Sequence, residues 1–506
     1  MNTKEILLKS FIVGGVLALI RVAFSKVDNS KPTYKPPSYA AIDAYVDEQR
    51  RRLNIPGGAL AIVEGNKIVH VRGFGKARPN GEVPTQQTPF FIGSLTKSFT
   101  ALSIMQLVED GKIELDAPVQ RYLPWFKVAD SQASAKMSVR HLLNQTSGLP
   151  MLLGMANLDD PGNGADATER QVRALSSLII NRPVGSKFEY SNINYNVLGL
   201  IIEAASGESY EDYIENHVFK PLEMNHSFTS KAMAKKNGLA VGHRFWFGIP
   251  VATPNLPIPR SSLSSGQLIS SVEDMAHYLI ANLNNGRYLK TQVLSSAGIG
   301  ALHHGAAEII EMGMSLGSYG MGWIDQKFRD SRIVSHSGIV PDFSGFMALV
   351  PEKKKGIVLL FNANHAMLKM TLDEVGMGAA QRLAGEHPSP MHFGAAPWIM
   401  RAMLLIPIIQ IIDIVATLGK LSLWRQHPQR HPAKENLWGQ HILLPLISNL
   451  LISLTLVPML GKMRGFVKLF MPDFSWITRI CGSFAGIWSL LRTVLTLNAF
   501  RRIEKH

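Results

Sequence analysis

Cysteine is almost absent from this chain. Its 506 residues contain one, Cys481, in the apolar C-terminal part. A disulfide framework, a cysteine-ligated zinc site and a thiol nucleophile are therefore excluded for everything before it. A surplus of charge is also absent from the middle. The formal net charge is +14, but residues 36–395 supply only +1 of it, from 33 Lys/Arg against 32 Asp/Glu. The excess lies at the two ends, +4 in residues 1–35 and +9 in residues 396–506. Those ends are also apolar, and basic residues beside apolar runs mark membrane segments rather than a phosphate-binding face. Nucleic acid is thereby set aside as a partner. Calcium-loop spacing is missing too: Asp159, Asp160 and Asp166 do not follow it.

What is present at the ends divides the chain. Residues 1–25 carry Lys4 and Lys9, an apolar core over 11–20, then Arg21. That core is short for a span and long enough for a signal peptide, so signal peptide and retained N-terminal membrane anchor stand as two readings. Residues 26–39, with their prolines and lysines, read as a linker. Residues 396–506 form a C-terminal membrane region with up to three transmembrane helices. Residues 442–460 are free of charge, 402–419 are apolar apart from Gln410 and Asp413, and 476–500 contain Arg479 and Arg492. For the last two segments a helix lying in the interface is the other reading. Asp413 would be an acid within the membrane, with no partner evident in the sequence. Lys420, Arg425, Arg430 and Lys434 place their loop in the cytoplasm and the preceding domain outside, although Lys462, Arg464 and Lys468 dissent.

The middle, 40–385, begins with a helix over 40–53 and a hairpin of strands at 59–63 and 67–73, joined at Glu64-Gly65-Asn66. Helices follow over 139–144, 169–180 and 194–207, and 266–283 is a turn and then a helix, with Ser271 as its cap. Short strands at 319–325, 333–336, 345–350 and 356–362 close the domain. A sheet built from the first hairpin and these late strands brings distant parts together. Between them, Ile92-Gly93-Ser94-Leu95-Thr96-Lys97 turns at Gly93 and enters a helix ending near Asp110-Gly111. Three residues apart on that helix, Ser94 and Lys97 face the same way. A hydroxyl is a poor nucleophile until its proton is removed, and a desolvated lysine can remove it. Alone, the pair is a coincidence that any long chain can hold. Tyr190-Ser191-Asn192, alone, reads as a helix N-cap. His336-Ser337-Gly338 stands at the edge of a strand.

In this order, with Leu142-Leu143-Asn144-Gln145-Thr146-Ser147-Gly148-Leu149, Tyr195 and Leu198-Gly199 around them, the three motifs resemble the penicillin-recognising serine hydrolases. The branch is that of class C β-lactamases and related D,D-peptidases, D-aminopeptidases and esterases, and the likeness covers roughly 40–385. It implies an α/β (α+β) fold of the β-lactamase/transpeptidase type: an antiparallel sheet flanked by helices, an α-helical subdomain, and an active site in the groove between. It implies Ser94 as the nucleophile of an acyl-enzyme, with Lys97 and Tyr190 sharing the base work as an ammonium–phenolate pair. Asn192, His336, Ser337, Gly338 and Ile339 become substrate-binding positions, and the backbone N–H groups of Ser94 and Ile339 an oxyanion hole. No cofactor and no metal is implied.

One position departs from the family. Many β-lactamases have lysine where this chain has His336, and a histidine is mostly neutral at pH 7. Attraction for a substrate carboxylate is weaker, which favours a peptidase or esterase over a dedicated β-lactamase. The expectation is a membrane-tethered, extracytoplasmic serine hydrolase acting on a cell-wall peptide, a D-amino-acid derivative, an ester or a β-lactam. The alternative is a non-catalytic penicillin-binding sensor of the same fold. The sequence sets no oligomeric state. His303-His304 with Glu308 reads as a solvated pair rather than a metal site, and Trp246-Phe247 equally as groove lining or core.

Overall fold

The computed structural model describes residues 38–151, 164–180, 182–256, 259–311, 314–392, 394–430, 432–433, 436–451 and 464–503. The expected signal or anchor at 1–25 and nearly all of the linker lie outside these.

Alternating burial sets the centre of the fold. Strand β1 (Gly57–Glu64) is covered along nearly its whole length. Ala59, Ala61 and Val63 point into one core, Leu60 and Ile62 into another. A strand buried on both faces belongs in the middle layer of a domain. It turns at Gly65 into β2 (Lys67–Gly75). A separate hairpin, β3 (His243–Trp246) and β4 (Ile249–Ala252), comes later. Then follow β5 (Ala307–Glu311), β6 (Met314–Tyr319), β7 (Ile324–Phe328), β8 (Ser331–Val340), β9 (Phe343–Val350) and β10 (Lys355–Phe361). The large sheet runs β2-β1-β10-β9-β8-β7-β6-β5, antiparallel throughout. The early hairpin therefore joins the late strands, with Ala61 opposite Val358.

Helices α1 (Tyr39–Arg52) and α5 (Lys369–Leu383) cover one face, where Val46, Val375 and Ala379 meet Leu60, Ile62 and Leu359. The other face carries α2 (Thr96–Glu109), α3 (Asn192–Ser206) and α4 (Val272–Leu283), through Phe99, Leu198 and Leu279. Ser271 caps α4, its Oγ accepting from Asp274 N at 3.1 Å. Two expected elements are broken. The strand expected over 319–325 is split by a turn at Gly320–Trp323, where Gly322 takes φ +79°. The helix expected over 169–180 runs only from Ala167 to Arg173 and then tightens into a 3₁₀ turn, Ala174–Ser177.

Pairing of β7 with β8 stops at Ser335. From His336 onward that edge of β8 has no strand partner among the described residues. The 3₁₀ turn Gly93–Leu95, leading into α2, packs against it instead.

Beyond the domain, α6 (Leu405–Gln426), α7 (Arg464–Phe470) and α8 (Pro472–Ile503) are helical. Two helical stretches, Ala396–Gln426 and Pro472–Arg502, are long and apolar enough to cross a membrane. The third expected segment, 442–460, lies partly outside the described residues. Asp413 is not alone, as its sequence context suggested. Its Oδ1 accepts from Arg492 Nη1 at 2.7 Å and its Oδ2 from Trp488 Nε1 at 2.8 Å, joining α6 to α8. Asp473, at the start of α8, is fully buried against the domain. It accepts from His365 Nε2 and from Phe247 N, each at 2.9 Å. Trp246-Phe247 thus forms the tip of the β3–β4 hairpin against α8.

Candidate active site

The site starts from two glycines. Gly93 takes φ +58°, and a Cβ added there would lie 2.5 Å from Ile339 N. A Cβ on Gly338 would collide with Ile92 O and lie 2.9 Å from Ser94 N. Turn and strand therefore approach backbone to backbone, which only glycine permits. The approach brings Ser94 N and Ile339 N to one place at the open edge of β8.

Ser94 is half-buried on the 3₁₀ turn, and Lys97, one turn on, is fully buried. Lys97 Nζ has three oxygen neighbours: Ser94 Oγ at 3.1 Å, Asn192 Oδ1 at 2.8 Å and the Ser265 carbonyl at 2.6 Å. It also lies 4.9 Å from the centre of the Tyr190 ring. Burial holds the Lys97 pKa well below that of a free lysine. Burial also drives the Tyr190 phenol upward, opposed by its hydrogen bond to Ser94. Desolvation therefore works against the charged form of both groups, and so against the ammonium–phenolate pair expected from the sequence.

Tyr190-Ser191-Asn192 is not an ordinary cap. Ser191 occupies the N-cap position of α3 but makes no capping bond; its Oγ donates to Pro150 O at 3.2 Å. Gln145 holds the motif from both sides. Its backbone carbonyl accepts from Glu189 N at 2.8 Å, and its Oε1 accepts from Ser191 N at 2.9 Å and from Asn194 Nδ2. Tyr195 adds a bond to Leu143 O at 2.9 Å.

His336 sits beside Tyr190, ring centres 6.4 Å apart. Its Nδ1–H donates to Ser337 O at 2.6 Å, leaving Nε2 to accept from the Tyr319 hydroxyl at 3.3 Å. Burial, and then neighbouring Lys97, lowers its pKa to about 3. It is neutral, with both ring nitrogens engaged. Ser94 opens into a recess of about 50 Å³ whose walls include Asn192, Gln267, Ile339, Leu469 and Phe470.

Residues 42–380 match the Beta-lactamase family. The chain belongs to the β-lactamase family. Protein flp of Staphylococcus aureus (strain MW2) is 30% identical over 331 residues, 65% of this chain and 64% of that protein. The chain thus spans a little under two thirds of that relative's length. Penicillin-binding protein 4 of Amycolatopsis lactamdurans is 28% identical over 324 residues, 63% of this chain and 84% of that protein. Among solved structures, the octameric penicillin-binding protein homologue from Pyrococcus abyssi superposes with a TM-score of 0.60 at 29% identity. The match covers 70% of this chain and 79% of that one.

In this β-lactamase-family chain the structure brings Ser94, Lys97, Tyr190, Asn192, His336 and Ile339 to one place. Sequence reasoning missed four contributors. Gln145 lies within 142–149, yet nothing local marks its side chain as a brace. Ser265 acts through its carbonyl, which carries no residue signal. Leu469 and Phe470 lie in a region with no counterpart in the motifs. The His303-His304 pair is not a solvated one. His304 is exposed, whereas His303 is buried at the end of its helix, bonded to Asn282 Oδ1 at 3.0 Å and lowered to about pKa 3 by burial.

Proposed function

We propose that the chain is a serine hydrolase of the class C type, forming an acyl-enzyme at Ser94 on an amide or ester. Its C-terminal helices tether it to a membrane, with the catalytic domain on the extracytoplasmic side. The observation that carries the chemistry is the environment of Lys97. A neutral amine has two N–H donors and one lone pair. Asn192 Oδ1 and the Ser265 carbonyl are acceptors only, so they take the two donors. The lone pair is left for the Ser94 hydroxyl at 3.1 Å, the arrangement of nucleophile and base.

In the first step the Ser94 proton passes to Lys97 as Oγ bonds to the substrate carbonyl carbon. The carbonyl oxygen, now negative, lies between the N–H groups of Ser94 and Ile339. The new ammonium is costly in a buried site, and the two acceptor oxygens offset part of that cost. On collapse the C–N or C–O bond breaks, and the leaving group takes the proton from Lys97 through the Tyr190 hydroxyl. Water then repeats the sequence and frees the acid. Asn192 holds the substrate amide.

His336 supports a peptidase or esterase over a dedicated β-lactamase. Neutral and fully bonded, it offers no fixed cation to a substrate carboxylate, so a cell-wall peptide, a D-amino-acid derivative or an ester suits the site better. A non-catalytic sensor has no need of a neutral lysine against a half-buried serine. Incubation with a fluorescent phosphonate or penicillin is expected to label the native protein covalently and to leave Ser94→Ala unlabelled. A native protein that takes up no label from either probe would sink the proposal.

A further inference from the structure

We propose that the substrate is an amphiphile presented at the bilayer surface, with its apolar part against Leu469 and Phe470. This rests on the membrane-tethered hydrolase reading above. The recess beside Ser94 is not made by the hydrolase domain alone. Leu469 and Phe470, the last two residues of α7, form part of its wall. Both are buried, each 7% exposed, and they share the recess wall with Ser94, Asn192 and Ile339. Only Met471 separates Phe470 from Pro472, where the apolar helix α8 begins.

The placement is held firmly. Asp473 is locked by His365 and Phe247 N, and the Lys468 carbonyl accepts from Arg244 Nη1 at 3.4 Å. Exposed apolar side chains on α8 begin at Trp476 and recur at Ile480, Ile487 and Leu491. Trp476 is four residues into α8, about 6 Å along it at a helical rise. An exposed tryptophan at the head of an apolar helix sits at headgroup level. The nucleophile therefore opens towards the membrane surface rather than towards bulk solvent.

The remaining walls are polar. Gln267 lines the recess at 9% exposure, and its Oε1 is buried with no partner among the described residues. An unpaired acceptor of this kind is costly unless a ligand supplies a donor. One wall thus asks for an apolar group and another for an N–H or O–H. A molecule meeting both is an amphiphile with a donor close to its scissile carbonyl. The space of about 50 Å³ holds only a few waters, so the apolar part extends along α7 towards the bilayer.

The test compares N-acetyl- and N-decanoyl-glycine p-nitrophenyl esters, using the full chain in phosphatidylcholine vesicles. The native protein is expected to favour the decanoyl ester in kcat/KM by about tenfold or more. Leu469→Ala and Phe470→Ala should each cut that ratio severalfold, and Phe470→Leu should largely keep it. Vesicle partitioning of the ester is common to all variants and cannot produce such a change. Phosphonate labelling of Ser94, run on each variant, shows which ones keep an intact site. Labelled variants whose chain-length ratio equals the native ratio would overturn the inference and leave the hydrolase reading standing. Absence of label on the native protein would remove the hydrolase reading and this inference with it.

Discussion

Replacing Lys97 with methionine tests the protonation state on which the mechanism turns. The two side chains are similar in length, so the main change is loss of the amine. An unfolded lysine has a pKa of about 10.4, while burial holds the folded one well below that of a free lysine. Between the two values, unfolding takes up one proton. The sign follows from the depressed pKa: relative stability is greatest above the unfolded value and is lost as pH falls towards the folded one. Wherever the folded lysine is neutral and the unfolded one charged the slope is about 1.4 kcal/mol per pH unit, so the native protein should gain stability over Lys97→Met as pH rises. Denaturant titration of the full chain in detergent, followed by tryptophan fluorescence at pH 7, 8 and 9, reads this difference. Acylation by a phosphonate should fall about 10²–10⁴-fold in the same variant, the usual contribution of a general base. Stability curves that stay parallel across this pH range would refute the neutral amine, and with it the lone-pair argument.

Two further substitutions probe how the site is held. Gly338→Ala puts a methyl group against Ile92 O and Ser94 N, forcing β8 away from the turn; acylation is expected to fall about a hundredfold or more, as when one oxyanion donor is lost. Stopped-flow labelling measures this, and a native rate would show that the close backbone approach is dispensable. Gln145→Ala strips the acceptor from Ser191 N and Asn194 Nδ2. It should destabilise the domain by about 1–3 kcal/mol and slow labelling, because Tyr190 loses its brace. An unchanged melting temperature with an unchanged labelling rate would count against that role.

Local features of the site were legible in the sequence, and distant ones were not. Ser94 and Lys97 are three residues apart, so helical spacing alone sets them on one side. The cap at Ser271 and the stop of α3 at Gly207, with φ +80°, follow equally from local chemistry. The charge on Lys97 depends on burial by Asn192 and Ser265, 95 and 168 residues further on, which no spacing encodes. Gly320 and Gly322 were present to be read as breakers of the 319–325 strand, but the apolar run around them outweighed that signal. Helix 169–180 ended early because its second half tightened into a 3₁₀ turn, a distinction that periodicity over so few residues does not draw.

The bond between Asp413 and Arg492 bears on how the protein is made. Each residue alone, midway along an apolar helix, costs about 2.5–3.5 kcal/mol on insertion. Together, with Trp488 as a third member, they hold opposite charges 2.7 Å apart and spare each other most of that cost. The partners lie 79 positions apart in the chain, so α6 leaves the ribosome well before α8 exists. On the membrane-tethered reading proposed above, the acid of α6 is therefore inserted before its cation is made and is paired only when Arg492 and Trp488 of α8 arrive.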